Sequence, residues 1–233
     1  MSIYAMADFH LSKSVDKPMD IFGSAWDNHS ERIVKNWPLS DNDVIVIPGD
    51  LSWAMDLCEL KADIDFLASL PGKKIISKGN HDYWWSSVTK LKAFAKDYDG
   101  FYFLHNNSFE ISDFSVCGTR GWITESGKED DKKILKREVI RLETSLKSAK
   151  KEPIVFLHYP PVTESTECEP IMKVLNDNGV KECYYGHLHG KSLESAFSGE
   201  KYGIRFTPIS ADKLGFTPIL VRKCDKTEPI EHK

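Results

Sequence analysis

The chain has 233 residues, enough for a sizeable core in one large domain or two small ones, and its 41% hydrophobic, 28% charged and 11% aromatic content is that of an ordinary globular protein. A formal net charge of −4 argues against a protein that holds nucleic acid by bulk electrostatics, leaving a local basic groove open. No apolar run approaches the roughly 18 residues of a membrane span, and the N-terminus reads directly as a strand without the basic and apolar regions of a signal peptide.

In chain order, residues 3–7 predict a strand, followed by a long loop and a helix over about 26–36. Residues 43–47 are a buried strand, and 56–70 an amphipathic helix closed by Pro71-Gly72. A third strand at 74–77 leads to a helix near 86–96, so the first half alternates in the manner of βαβ units with parallel pairing. Residues 101–104, 109–111 and 115–117 are short, closely spaced strands, which predicts an antiparallel meander. A charged helix over about 129–150 follows, with Leu135, Val139, Leu142, Leu146 and Ala149 forming one buried stripe and its Lys, Arg and Glu a solvated face. Two more strands, 154–157 and 182–185, flank a helix near 170–178 that ends at Gly179. Residues 203–206 and 216–221 are expected to pair antiparallel, with a frayed polar tail from about 224. No repeat, low-complexity segment or linker divides the chain, so a single domain over 1–233 is expected.

The five cysteines, Cys58, Cys117, Cys168, Cys183 and Cys224, are scattered and contain no C-x-x-C pair. This argues against a disulfide framework or a zinc-thiolate site and for reduced thiols in a cytoplasmic protein.

The chemistry gathers at the carboxyl ends of the predicted core strands. Asp8 and His10 follow the first, Gly49-Asp50 the second, and Gly79-Asn80-His81-Asp82 the third; His158 follows the strand at 154–157, and Gly186-His187-Leu188-His189 the strand at 182–185. In a parallel sheet those ends open on one edge, where side chains converge on a ligand. Residues i and i+2 of an extended segment point the same way, which accounts for the D-x-H and H-x-H spacings. Carboxylate, amide and imidazole without thiolate suit divalent Mn, Fe, Ni or Zn better than Ca. Seven candidate ligands exceed the need of one tetrahedral ion, whereas two ions sharing a carboxylate would use them all.

These five blocks, in this order from residue 8 to residue 189, resemble the signature of the calcineurin-like metallophosphoesterases. The resemblance implies a four-layer α/β/β/α sandwich of two mixed sheets with a di-metal site at the strand ends. It also implies roles: Asp8, His10 and His189 on one ion, Asn80, His158 and His187 on the other, and Asp50 bridging. A hydroxide between the ions would attack phosphorus, and His81 would protonate the leaving oxygen. Protein-phosphatase members continue the second block with an Asp-Arg-Gly whose Asp orients the catalytic histidine; here it continues Leu51-Ser52-Trp53-Ala54-Met55, so adjacency makes Asp82 the candidate partner of His81. The same departure weighs against a protein phosphatase, and Asn-His in the third block, where the lipid A pathway pyrophosphatases of this fold have Asn-Arg, weighs against those enzymes.

Arg120, between glycines in Gly118-Thr119-Arg120-Gly121-Trp122, is a candidate phosphate grip or else a structural ion pair. Trp53, Trp84, Trp85 and Trp122 lie beside the blocks and would make an aromatic wall for a ring or cover the edge of a core. The expected protein is thus a dinuclear metal-dependent hydrolase of a small phosphate mono- or diester or a nucleotide. A nuclease or nucleotide pyrophosphatase of the same fold, or a non-catalytic interaction scaffold, are the alternatives.

Overall fold

The first half alternates as its periodicity predicts, with β1 (Ser2–Ala5), α1 (His29–Lys35), β2 (Val44–Pro48), α2 (Leu57–Ala68), β3 (Lys73–Ser77), α3 (Val88–Phe94) and β4 (Phe101–Phe103) in succession. The second half contains β5 (Phe109–Ile111), β6 (Phe114–Thr119), α4 (Glu129–Ser148), β7 (Glu152–Leu157), α5 (Glu169–Asp177), β8 (Glu182–Tyr185), β9 (Gly199–Lys201), β10 (Ile204–Pro208), β11 (Ile219–Lys223) and β12 (Glu231–His232). This computed structural model describes residues 1–123, 129–224 and 230–232. Among them no helix is long and apolar enough to cross a membrane.

Local chemistry sets the boundaries. The Asp56 carboxylate caps α2 by accepting from the amides of Cys58 and Glu59 at 2.8 and 3.0 Å. β2 is an unbroken apolar run, buried at every position, as a central parallel strand covered on both faces must be.

The strands form a five-stranded sheet, β11-β1-β2-β3-β4, and a seven-stranded sheet, β12-β5-β6-β7-β8-β10-β9. β1 to β4 are mutually parallel, as are β6, β7, β8 and β10. Three expectations are corrected. The stretch from 101 to 117 is not one meander, because β4 joins β3 in parallel in the first sheet while β5 and β6 pair antiparallel in the second. The closing strands do not pair with each other: β10 lies parallel to β8, and β11 lies antiparallel to β1 in the other sheet. The tail is not simply frayed, because β12 pairs with β5; residues 225–229 and 233 lie outside the described residues.

Three apolar clusters separate four layers, α/β/β/α. Alternation along the strands divides them: Ile45 and Ile47 of β2 face α1, α2 and α3 through Ile33, Leu60, Ile64 and Leu91. Val44 and Val46 face the second sheet, meeting Val116, Ile154 and Phe156. On the far side Val155 and Leu157 of β7 pack with Leu142 and Leu146 of α4 and Ile171 of α5. Each such side chain, fully buried, contributes roughly 1.5–3 kcal/mol.

This stacking brings the carboxyl ends of both sheets to one edge. The exits of β1 and β10 are joined across the sheets, with the Ala7 amide donating to the Ile209 carbonyl at 2.9 Å and the Ala211 amide to the Ala7 carbonyl at 3.0 Å. The approach is so close that side chains are excluded at two glycines. A Cβ on Gly79 would lie 2.1 Å from Asp50 Oδ1 and 2.3 Å from the Asp50 amide nitrogen, and one on Gly186 would lie 2.7 Å from Asp8 Oδ2. Gly79→Ala is therefore expected to cost about 3 kcal/mol, the upper end for overpacking a closed site. Gly179→Ala, at φ +65° with open space around it, should cost only the left-handed penalty of about 1 kcal/mol. Denaturant unfolding measures both, and equal losses would contradict the close approach.

Candidate metal centre

The candidate ligands sit on a backbone that has left the strand conformation. Asp8, His10, Asp50 and His187 all have positive φ, at 59°, 46°, 51° and 71°. A non-glycine residue in the left-handed region costs about 1–2 kcal/mol, and such strain gathers at functional sites. Strand alternation thus does not explain the D-x-H spacing. β1 ends at Ala5, and left-handed turns at residues 8 and 10 bring that pair inward.

The seven side chains come together. Ligand atoms of Asp8, Asp50 and His158, all three buried, lie within 4.8 Å of one another. Asp50 Oδ2 lies between two imidazoles, 3.7 Å from His10 Nε2 and 3.5 Å from His158 Nε2. On one side, the His10 and His189 rings are 5.4 Å apart. On the other, Asn80 Oδ1 lies 2.6 Å from His158 Nε2 and 3.0 Å from His187 Nδ1.

The protonation states make this arrangement acceptor-rich. Burial depresses His158 to about 3, and neutral His158 uses Nδ1–H on the Pro48 carbonyl at 3.2 Å, which leaves Nε2 as a lone pair. That lone pair faces the amide oxygen of Asn80 and a carboxylate oxygen of Asp50, neither of which has a proton to offer. Burial foremost lowers His187 to about 3, and it likewise lowers His10. Both ring nitrogens of His10 are buried without a hydrogen-bond partner. Burial raises Asp50 to about 6, and burial and Asp50 together raise Asp8. The donors to the two carboxylates are backbone amides, His187 to Asp8 and His81 to Asp50, and the acceptor atoms left over are what a divalent cation satisfies; the backbone carbonyl behind His158 is the usual support of a ligating imidazole. The residues fit metal.

His81 lies at the rim. Its amide donates to Asp50 Oδ1 at 2.8 Å, and its ring packs 4.4 Å from that of Trp53 and 5.8 Å from that of His10. Burial lowers its pKa, and the Asp50 charge works against that. The expected partnership of Asp82 with His81 is not what the structure contains. The buried Asp82 carboxylate instead accepts from the amides of Gly79, Asp50, Leu51 and Ser52 at 2.7 to 3.3 Å and from Trp84 Nε1 at 3.0 Å. It ties the second block to the third. The Tyr83 hydroxyl lies 3.5 Å from His81 Nδ1.

The aromatic neighbours have several tasks. Trp53 stacks on His10, centroids 5.0 Å apart and planes 24° apart, and so braces the ring of a candidate ligand. Arg120 lies 3.6 Å from the buried Glu138 carboxylate and 4.8 Å over Trp122, while its backbone carbonyl accepts from the His158 amide at 3.1 Å. Trp26 and Tyr159 escaped the sequence reading. Trp26 sets its edge against His10 and His189, and Tyr159 lies 4.2 Å from His187. Adjacency to His158 was a signal for Tyr159; nothing in the pattern around Trp26 marked it.

Comparison with solved structures shows the same fold at low sequence identity. A protein of unknown function from Aquifex aeolicus is 17% identical, with a TM-score of 0.56 over 94% of this chain and 95% of that one. The phosphopantetheinyl hydrolase of Mycobacterium tuberculosis is 14% identical, with a TM-score of 0.58 over 98% of each chain. A protein from Thermus thermophilus is 12% identical, with a TM-score of 0.51 over 94% of this chain and 96% of that one. No curated protein matches the sequence significantly. The family model for calcineurin-like phosphoesterases matches residues 1–191, a span that holds all seven converging side chains and His81, and the chain therefore belongs to that family.

Proposed function

We propose that the protein is a dinuclear metal-dependent phosphoesterase acting on a small phosphate mono- or diester. The observation that carries this reading is the convergence of acceptors from five strand ends on the buried Asp50, which lies between the buried His10 and His158. In this reading Asp8, His10 and His189 would hold one ion and Asn80, His158 and His187 the other, with Asp50 shared. When bound, the ions neutralise the phosphate oxygens and supply a water acidic enough to attack phosphorus at neutral pH. Mn, Fe, Zn and Ni all suit the donor set.

The chain's own residues do the rest. His81 gives its proton to the leaving oxygen as the phosphorus–oxygen bond breaks, since its ordinary pKa lies near neutrality. Trp53 holds the ring from one side, and the amide bond to Asp50 fixes the backbone beneath it. Asp82 acts through the loop, keeping Asn80 and Asp50 at their spacing, and Tyr83 stands beside the ring in its stead. All five cysteines are free, four of them buried, in keeping with a reducing cytoplasm. The three apolar layers run from the first strand to the last, in keeping with a single domain over 1–233.

Chelation should abolish turnover of nitrophenyl phosphate, and Mn should restore it; full activity in the stripped protein would sink the reading. The substrate class follows from comparing that monoester with bis-nitrophenyl phosphate and a phosphopantetheinyl ester, the last suggested by the name of the Mycobacterium neighbour. His81→Ala should lose about 10²- to 10⁴-fold on alkyl esters and less than about tenfold on nitrophenyl esters, whose leaving oxygen hardly needs a proton. Equal losses would remove the acid role. Asp82→Asn puts an amide N–H₂ against backbone donors, so it should lower stability by about 2–4 kcal/mol while keeping the wild-type leaving-group dependence. A leaving-group slope like that of His81→Ala would return Asp82 to the acid.

A further inference from the structure

Beside the metal centre lies a second cavity of about 280 Å³, whose walls include Lys78, Trp85, Arg120, Arg137, Glu138 and Arg141. It shares structure with the centre. Lys78 stands two residues before Asn80, and the Arg120 carbonyl accepts from the amide of His158. Four cationic side chains surround a single carboxylate. That carboxylate is already engaged, because Glu138 accepts from Thr119 Oγ1 at 2.6 Å and from Arg141 at 2.7 Å and lies 3.6 Å from Arg120. Glu138 therefore orders two guanidinium groups and leaves the wall with a surplus of positive charge.

Two buried donors on this wall have no partner: Arg120 Nε and Trp85 Nε1. Both groups donate and cannot accept, so this part of the wall is built from donors with no spare acceptor among them. Neither Lys78 nor Arg137 makes an ion pair within 4 Å among the described residues, and Lys78 feels Asp82 and Glu138 only from further away. Planar guanidinium forks, an ammonium group and unmatched N–H donors together fit a compact anion with several oxygens.

We propose that this cavity holds a second phosphoryl group of the substrate, remote from the ester that is cleaved. The inference rests on the phosphoesterase reading for its substrate, and it makes the enzyme selective for small molecules that carry two phosphoryl groups. The cations of the wall place the remote group, and their binding energy positions the scissile ester at the metal centre.

Inorganic phosphate is the probe for the cavity by itself. In the full chain treated with chelator, the metal centre offers phosphate nothing, so calorimetric titration reads the cavity alone. Phosphate should bind, and Arg137→Ala and Arg120→Gln should each weaken it by roughly fivefold or more, with Arg137→Lys recovering part of the loss. Arg137 is exposed and unpaired among the described residues, so its truncation spares the fold, which a thermal melt verifies. Absence of phosphate binding, or equal affinity in both variants and the parent, would overturn the proposal. In the metal-loaded enzyme, the kcat/KM ratio of a nucleoside 3′,5′-bisphosphate to nitrophenyl phosphate should exceed one and fall by roughly fivefold or more in Arg137→Ala; a ratio that does not move would overturn it too. If no metal supports turnover of either ester, the phosphoesterase reading fails, and the titration of the chelated chain still decides whether the cavity takes phosphate.

Discussion

Lone pairs and negative charge forced together out of water are what the rest of this structure is built around. Within a few ångströms, the carboxyl groups of Asp8 and Asp50, the amide oxygen of Asn80 and the Nε2 lone pair of His158 face one another. Taking such groups out of water without compensation costs several kcal/mol each. Their raised and lowered pKa values express that cost in the absence of a counter-charge: burial makes the carboxyls weaker acids and the imidazoles weaker bases. On the proposed reading, bound cations would supply the counter-charge that this cluster of acceptors lacks.

The scaffold holds that cluster at close range by several means. Left-handed residues at positions 8, 10, 50 and 187 carry local strain, and glycines at 79 and 186 let the loops touch. Asp82 joins the amides of two blocks through one carboxylate, and Trp26, Trp53 and Tyr159 brace the imidazole rings. All of it fixes where the candidate ligands stand. Catalysis by charge stabilisation depends on that prior placement, since groups already in position need no reorganisation during the reaction. The basic cavity next door extends the same economy: Glu138 orders the guanidinium groups that an incoming anion then meets.

The strand ends were legible in the sequence because apolar runs and polar punctuation report strand length, and a parallel sheet sends all such ends to one edge. The stripe Leu142 and Leu146 on α4 was legible for the same reason. Sheet membership was not. The strands β4, β5 and β6 are short and closely spaced, and only tertiary pairing decides that the first belongs with β3 and the others in the sheet of β7. Likewise β10 and β11 are near in sequence yet lie in different sheets. The partner of His81 was misread because adjacency along the chain says nothing of side-chain direction. Asp82 turns inward to backbone amides, while Tyr83, one residue further, reaches the ring. Trp26 was invisible since its contacts with His10 and His189 are made by a loop with no periodic signature.

On the proposed reading, the converging acceptors hold two cations through the shared carboxylate of Asp50. Equilibrium dialysis against Mn followed by elemental analysis tests it without reference to any substrate. Two ions per chain are expected in the parent protein, and Asp50→Asn, which keeps the fold and removes the shared charge, should retain one or none at the same free concentration. A parent chain that takes up no ion, or an Asp50→Asn variant that keeps both with unchanged affinity, would contradict it.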